Sequence, residues 1–385
     1  MDAKHAKHAL LLLAACAACA PRAAVHAWNR DCISAPVGFG RNVTGGTGGR
    51  TVIPTSIAEL KAYLASSETL IVNLNTTYDF TDAEGYNTTT GCWYSECADS
   101  NAGQKALPLY NACSGKTSTS VTYSVAGSRT LELLVASNKT VRSTNGLGVI
   151  KGKGLRLTGS SNVIIRDITI SDINPQVIWG GDAIVFNKAT NIWIHKCTIR
   201  NIGRQHLVSY VQENTGITVS SCLFDGTTDY SAYCDGTHYW LWLFWGTRDE
   251  VTLINNRVVN VSGRTPHAGG ESSSDKSLIH LVGNEMDTNP HLGIQSQVGG
   301  YILAEGNKFI NYSNPVAASA TGGYLAMVNT AAQAAACSSY FGENCTANAY
   351  ESTTAPTRWD LTVLNQFQFL DRAAVNGARA AVCEV

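Results

Sequence analysis

Two arginines and one aspartate hold the positions from which this chain could do chemistry. Asp182, Arg204 and Arg264 fall in the connections between short apolar stretches, not inside them. A carboxylate paired with a guanidinium would hold that arginine in register. A further arginine in the same groove would present a fixed cation to negative charge developing on a bound molecule. Free guanidinium groups stay protonated, with a pKa of roughly 12.5–13.8. Desolvation and a neighbouring positive charge both favour loss of that proton. The plainer readings are a structural ion pair for Asp182 and Arg204 and a surface salt bridge for Arg264. Trp93, Trp179, Trp240, Trp242 and Trp245, with Tyr239, concentrate near the same connections. Ring faces of this kind can stack on a bound molecule, although core packing is the alternative. Alternation through Trp240-Leu241-Trp242 puts the two tryptophans on one face and Leu241 on the other. Which face points inward stays open. His267, three residues past Arg264, would make local charge vary with pH where histidine titrates, unless it is simply an exposed loop residue.

The elements that position these residues repeat. Six stretches begin at Val163, Ile192, Ile217, Val251, Ile279 and Ile302, spaced 29, 25, 34, 28 and 23 residues apart. Two residues on come Ile165, Ile194, Val219, Leu253, Leu281 and Ala304. Five on come Ile168, Cys197, Cys222, Asn256, Asn284 and Asn307, and seven on Ile170, Ile199, Phe224, Val258, Met286 and Phe309. An irregular period with two-residue alternation inside each repeat marks the stacked coils of a parallel β-solenoid. Each coil adds one rung, and length variation is pushed into loops. The Asn256, Asn284 and Asn307 column would be a buried amide ladder at a bend. Cys197 and Cys222, in the same column of adjacent coils, would either bond or stack as small apolar groups. A β-sandwich with chance similarity is the competing reading.

Around the repeats the chain is less regular. Residues 28–50 are Gly-rich and read as loop. Ser56-Ile57-Ala58-Glu59 is a capping-box pattern opening an amphipathic helix to about Leu64. Such a helix would hide the apolar end rung of a solenoid. A strand follows near Leu70 to Leu74. Residues 80–120 read as a long disulfide-tied excursion, and strands dominate from about Thr122 to Asn311. Ala331 to Ala336 and Arg358 to Ala380 read as irregular or helical structure packed along the barrel. No linker divides the chain into two domains.

Residues 1–27 read as a secretory signal, with Lys4 and Lys7, an apolar core from Leu10 to Ala20, and cleavage before Trp28. The apolar run is too short to span a bilayer, and no later segment is long enough. Removing Asp2, Lys4, Lys7 and Arg22 with that segment leaves 25 basic against 28 acidic residues, a net charge of −3. That balance argues against a nucleic acid partner, which calls for a basic face. Of 12 cysteines, Cys16 and Cys19 leave with the signal. The ten that remain suit an oxidising compartment. Sequons at Asn42, Asn75, Asn87, Asn138, Asn260, Asn311 and Asn344 are compatible with a secreted glycoprotein.

Several motifs, in order, resemble the successive signatures of the fungal pectin lyases. They are Val177 to Ile184 (VIWGGDAI), Ile202 to His206 (IGRQH), Asp229-Tyr230-Ser231 with Cys234-Asp235-Gly236, and His238-Tyr239-Trp240. Ser262 to Pro266 (SGRTP) and Tyr301 to Asn307 (YILAEGN) complete the set. The similarity extends over roughly residues 35–350. It implies an all-β, single-stranded right-handed parallel β-helix with an N-terminal capping helix and long loops forming a groove. Residues 28–385 would make one such domain. The implied activity is endo-acting β-elimination on α-1,4-linked, methyl-esterified galacturonan, giving 4,5-unsaturated oligogalacturonates. By the same resemblance Arg264 matches the arginine proposed as proton-abstracting base, or else stays cationic and stabilises the enolate-like charge. Asp182 and Arg204 match two further groove positions, Arg204 toward the uronate carbonyl. Trp179, Trp240, Tyr239, Trp93 and His267 would contact substrate. Matching positions imply disulfides Cys92–Cys113, Cys97–Cys234 and Cys337–Cys345, and Cys32 and Cys383 remain to pair by arithmetic.

Calcium separates this branch from the pectate lyases, which bind the ion with clustered Asp and Glu. Here Asp182 is followed in the next coil by Arg204-Gln205-His206 and no acidic pair, and a methyl ester is already neutral. No metal and no cofactor are therefore expected, and the partner is pectin, met by a monomer with no nucleic acid or membrane. The pectate lyase RxPxxR signature is incomplete, with Gly269 at its second arginine. Three departures from the family pattern stand out: His267 where a lysine is common, a longer loop from Gly269 to Lys276, and Gly293 to Gln297 in place of a more acidic stretch. A calcium-dependent pectate lyase and a non-catalytic wall-binding β-helix are the competing readings. A β-helical hydrolase is excluded by the lack of clustered aspartates and of Gly-His-Gly to activate water.

Overall fold

The six aligned stretches lie side by side in one sheet, in the register read from the sequence. Val163 pairs with Ile192, then Ile217, Val251, Ile279 and Ile302 in unbroken succession. All six side chains are fully buried. The computed structural model describes residues 32–383 apart from 96, 98–100, 271 and 319–321. The signal reading of residues 1–27 lies outside the described residues. Three parallel sheets wind round one apolar core: ten strands from Arg50–Val52 to Tyr324–Met327, nine from Thr77–Asp79 to Ala349–Glu351, and seven between. The chain is a parallel β-helix, and its coils continue past both ends of the expected Thr122–Asn311 span.

The bend between the first two sheets shows how sequence makes the coil. Asp167, Lys196, Ser221 and Asn255 each take a left-handed φ of 50–56°, and Gly283 and Gly306 follow at 64° and 63°. One residue so turned swings the chain, and the next side chain points inward. That inward column is the amide ladder. Asn256 donates its backbone N–H and Nδ2 to Asn284 Oδ1, both at 2.9 Å. Asn284 does the same to Asn307, at 3.0 and 2.9 Å. Asn307 passes the pattern to Asn348, a rung the sequence repeat did not reach. Each buried amide is thereby satisfied, where an unmet partner would cost about 1–3 kcal/mol. Cys197 and Cys222 end the column as free thiols, stacked and not bonded.

One helix closes the N-terminal end of the column, and another lies along its side. The helix Ile57–Ala65 buries Leu60 and Leu64 against Leu70, Leu133 and Leu155. Ser56 Oγ accepts the Glu59 N–H at 3.2 Å, but the Glu59 carboxylate takes the Thr55 N–H at 2.7 Å, so only half of a capping box forms. Along the outer face of the ten-stranded sheet, the helix Leu361–Ala380 packs Val363, Leu364 and Phe367 over Leu278, Leu303 and Ala326. Arg379 clamps it there, donating at 2.9 Å to both oxygens of buried Glu305, which also bonds His280. The expected 80–120 excursion is more ordered than its composition suggested. Tyr86–Trp93 and Ser118–Ser124 form an antiparallel ribbon, and Lys105–Ala106 joins it to Val177–Ile178.

One alternation fails. Trp242 opens a strand of the seven-stranded sheet and points into the core, edge-on to Phe224 at 5.0 Å. Trp240 precedes that strand, where a tight turn (Leu241 N–H to Tyr239 carbonyl, 3.1 Å) resets the direction of the chain. The two tryptophans therefore do not share a face.

Candidate active site

The connections that enter the seven-stranded sheet line an open cleft of ≈ 820 Å³. Arg204 precedes the strand Leu207–Ser209 and Arg264 precedes His267–Ala268, with Trp242–Phe244 paired between those strands. The two arginines thus start two rungs apart, ~10 Å along the axis. The ribbon and its neighbouring loops wall one side, where Trp240 and Tyr94 rings meet at 5.7 Å.

The two arginines differ in what holds them. Asp182, at 0 % exposure, lies beneath Arg204, which is 4 % exposed. Arg204 Nη1 donates to the two carboxylate oxygens at 3.2 and 3.0 Å, and the Gln205 N–H adds a bond of 2.8 Å. On its other side, Arg204 covers the Trp179 ring, with Cζ 3.9 Å from the centroid. Arg264 forms no ion pair among the described residues, and its Nε and Nη1 have no hydrogen-bond partner. Its Cζ lies 4.7 Å from the Trp240 ring and 5.7 Å from Tyr239. Burial among these rings pushes its pKa down to about 10; Tyr239 opposes that shift and the Arg204 charge adds to it.

Local sequence builds this turn. Arg264 takes φ 56°, and its carbonyl accepts the Trp242 N–H at 3.0 Å. Any Cβ at Gly263 would come within 2.4 Å of the Tyr239 ring, so glycine is what lets Tyr239 lie against the turn. His238 is neutral, its pKa lowered to about 4 by burial. Its Nε2–H donates to the Arg204 and Trp240 carbonyls at 2.8 and 3.0 Å, a tautomer set by those two acceptors.

Arg204, Arg264, Trp179, Trp240 and His267 all line the cleft, as does Trp245. Asp182 supports it from below, and Tyr239 borders an adjoining hollow with Tyr94 and Tyr233. Two expectations change. Trp93 does not line the cleft: it ends a strand of the ribbon, with Lys105 Nζ 4.9 Å from its ring. His267 is a half-buried strand residue bonded through Nδ1 to Gln295 at 3.1 Å. Burial, then the Arg264 charge, lowers its pKa to about 4, so it carries no charge switch near neutrality. Arg129, Tyr94, Tyr110 and Tyr210 line the cleft unforeseen. Phase along the coil was the available signal, since Arg129 precedes Leu133–Leu134, first strand of the same sheet, much as Arg204 and Arg264 precede theirs. The structure pairs Cys92 with Cys113, Cys97 with Cys234, Cys337 with Cys345 and Cys32 with Cys383.

Comparison with known proteins agrees with this architecture. A family model described as a right handed beta helix region matches residues 111–332. Pectin lyase B of Emericella nidulans is 39% identical over 351 residues, covering 90% of this chain and 90% of that protein. Pectin lyase 2 of Aspergillus oryzae is 40% identical over 334 residues, 86% of this chain and 87% of the relative. Among solved structures, a Bacillus subtilis pectate lyase carrying an arginine-to-lysine change superposes with a TM-score of 0.50 at 14% identity, covering 91% of this chain and 98% of that one. A polygalacturonate lyase fused to a self-assembling peptide gives 0.51 at 14% identity, covering 88% and 96%. These two likenesses concern the fold alone.

Proposed function

We infer the reaction from one premise: this chain belongs to the fungal pectin lyase family. It is an endo-acting pectin lyase, cleaving α-1,4-linked methyl-esterified galacturonan by β-elimination. A base removes the proton on C5, beside the uronate carbonyl. Electrons from that C–H bond form the C4–C5 double bond as the C4 oxygen departs with its half of the chain and takes up the proton that the base removed, which regenerates the base. No water is consumed, and the new non-reducing end is 4,5-unsaturated.

The inequality of the two arginines carries the assignment of roles. Groups whose environments drive their protonation apart divide acid and base work between them. Arg204, locked on Asp182, stays cationic and receives the ester carbonyl, offsetting charge that develops there as C5 loses its proton. Arg264, without a carboxylate and with free nitrogens, takes the C5 proton. With a pKa of about 10 its neutral fraction near pH 8 is roughly 1 in 100, against roughly 1 in 10⁵ for an ordinary guanidinium. Asp182 positions Arg204 and does not touch substrate. Trp179 and Trp240 supply ring surface to the sugars, and Tyr239 borders the hollow beside them.

The donor set also speaks against a calcium-dependent reading. No Asp or Glu lines the cleft among the described residues, and the carboxylate beneath it is already bonded by Arg204 and Gln205. The N-terminal apolar core and the four disulfides support export of the enzyme. Among the described residues no helix is long and apolar enough to cross a membrane. The slightly acidic balance of the chain speaks against a nucleic acid partner.

The deciding experiment follows the ultraviolet absorbance of unsaturated oligomers released from highly esterified pectin in the presence of EDTA. Steady release is expected. No release by protein shown to be folded would remove the pectin lyase reading, and release abolished by EDTA would restore the calcium-dependent one.

A further inference from the structure

Arg264 is not the only cation in the cleft without an acid. Arg129 makes no ion pair among the described residues, and its buried Nε has no partner. Instead its guanidinium faces three rings, at 5.3 Å from Tyr110, 5.8 Å from Trp179 and 5.3 Å from Tyr210. Neighbouring Arg156 shows what an occupied guanidinium looks like on this wall. It too lies over Tyr210, at 5.2 Å, yet it donates to Glu132 at 2.8 and 2.6 Å.

We propose that Arg129 forms a carboxylate subsite beside the reacting one, which takes a free galacturonate next to the esterified residue being cut. The proposal rests on the pectin lyase reading. Trp179 is the link between the two positions, because Arg204 covers its ring at 3.9 Å and Arg129 faces it at 5.8 Å. A chain whose ester lies on Arg204 therefore brings neighbouring sugars under Arg129. The two subsites differ in the group they suit. Arg204 arrives already neutralised by Asp182, which fits an uncharged ester. Arg129 arrives with its charge unspent, which fits an anion.

The surroundings match the two chemical features of a galacturonate, an apolar C–H face and a planar carboxylate. Tyr110 is 67 % exposed, its ring 4.8 Å from Trp179, and offers the stacking surface. Tyr110 and Asn111 both hold left-handed φ values, 50° and 59°, just before disulfide-bonded Cys113, so the platform is set before substrate arrives. The guanidinium fork takes a carboxylate through two parallel bonds, and charge-assisted hydrogen bonds are roughly twice as strong as neutral ones. A methyl ester at the same place offers only a neutral acceptor.

The test compares the wild type with Arg129→Gln and Arg129→Lys on fully methyl-esterified pectin and on the same pectin partly de-esterified. The ratio of kcat/KM between the two substrates is the readout. Gln should lower the ratio for the de-esterified substrate about five- to tenfold, mainly through KM, while Lys, which keeps the charge but not the fork, falls between Gln and the wild type. Binding of unesterified trigalacturonate, followed by tryptophan fluorescence, should weaken by a similar factor in Arg129→Gln. An unchanged ratio, or equal losses on both pectins with trigalacturonate binding intact, would overturn the subsite. If the wild type released no unsaturated product while Arg129→Gln still weakened trigalacturonate binding, the lyase reading would fall and the subsite would stand.

Discussion

Two polar regions sit on successive coils of this β-helix and have been treated in opposite ways. At the bend, Asn256, Asn284, Asn307 and Asn348 are buried amides with donors and acceptors matched rung by rung. At the cleft Arg264, and in the interior behind it Gln205, His206 and Thr265, carry buried side-chain atoms with no partner. Satisfied amides rigidify a scaffold, while unsatisfied ones raise its energy unless something else meets them. Polar pairing on one side of the coil holds the structure; its absence on the other leaves Arg264 free to exchange a proton. Stability and chemistry are separated by a single strand of the same coil, the one in the nine-stranded sheet.

The strongest way to break this comparison is to alter Arg264. Arg264→Lys should keep the fold and pectin binding and lower kcat about 10²–10⁴-fold, the contribution of a positioned general base. Near-normal turnover would end its assigned role. The pH profile tests the same point. Because the pKa of Arg264 is lowered to about 10, its basic form grows tenfold per pH unit below that value. The rate on a short esterified substrate should therefore climb through neutral and alkaline pH and level off near 10, in assays brief enough to avoid chemical elimination. A plateau already at pH 7 would show that Arg264 acts as a cation.

On the ladder side the effect is on folding. Asn284→Ala removes the acceptor of the Asn256 N–H and the donor to the Leu253 carbonyl. A loss of about 2–3 kcal/mol in denaturant unfolding is expected, with kcat of the folded fraction unchanged. Smallest of all is the effect of His267. Its pKa of about 4 leaves it neutral at working pH, so His267→Gln should change kcat/KM less than about threefold and leave no inflection between pH 5 and 8.

The scaffold was far more legible than the site. Inward residues in a solenoid stack on their own kind, so Val163, Ile192 and Ile217 could be aligned by eye and later proved to be register partners. Asn348 escaped because it lies 41 residues beyond Asn307, farther than any spacing in the repeat. Trp240 and Trp242 were misjudged because two-residue alternation holds only inside a strand, and a turn at Leu241 interrupts it. Motif matching found Arg204 and Arg264. It could not find Arg129, whose meaning comes from three rings supplied by distant loops.

The bond between Cys32 and Cys383 has a consequence for the molecule as an object. It joins positions 351 residues apart, beside Asn255 at the bend. From Cys32 to Cys383 the folded chain is thus a closed covalent ring. A protease that nicks one exposed loop between them, such as the one that holds Ser273 and Ser274, opens the ring without releasing a fragment. Two cuts are needed before any piece can leave, and between those cuts every rung still holds its neighbours.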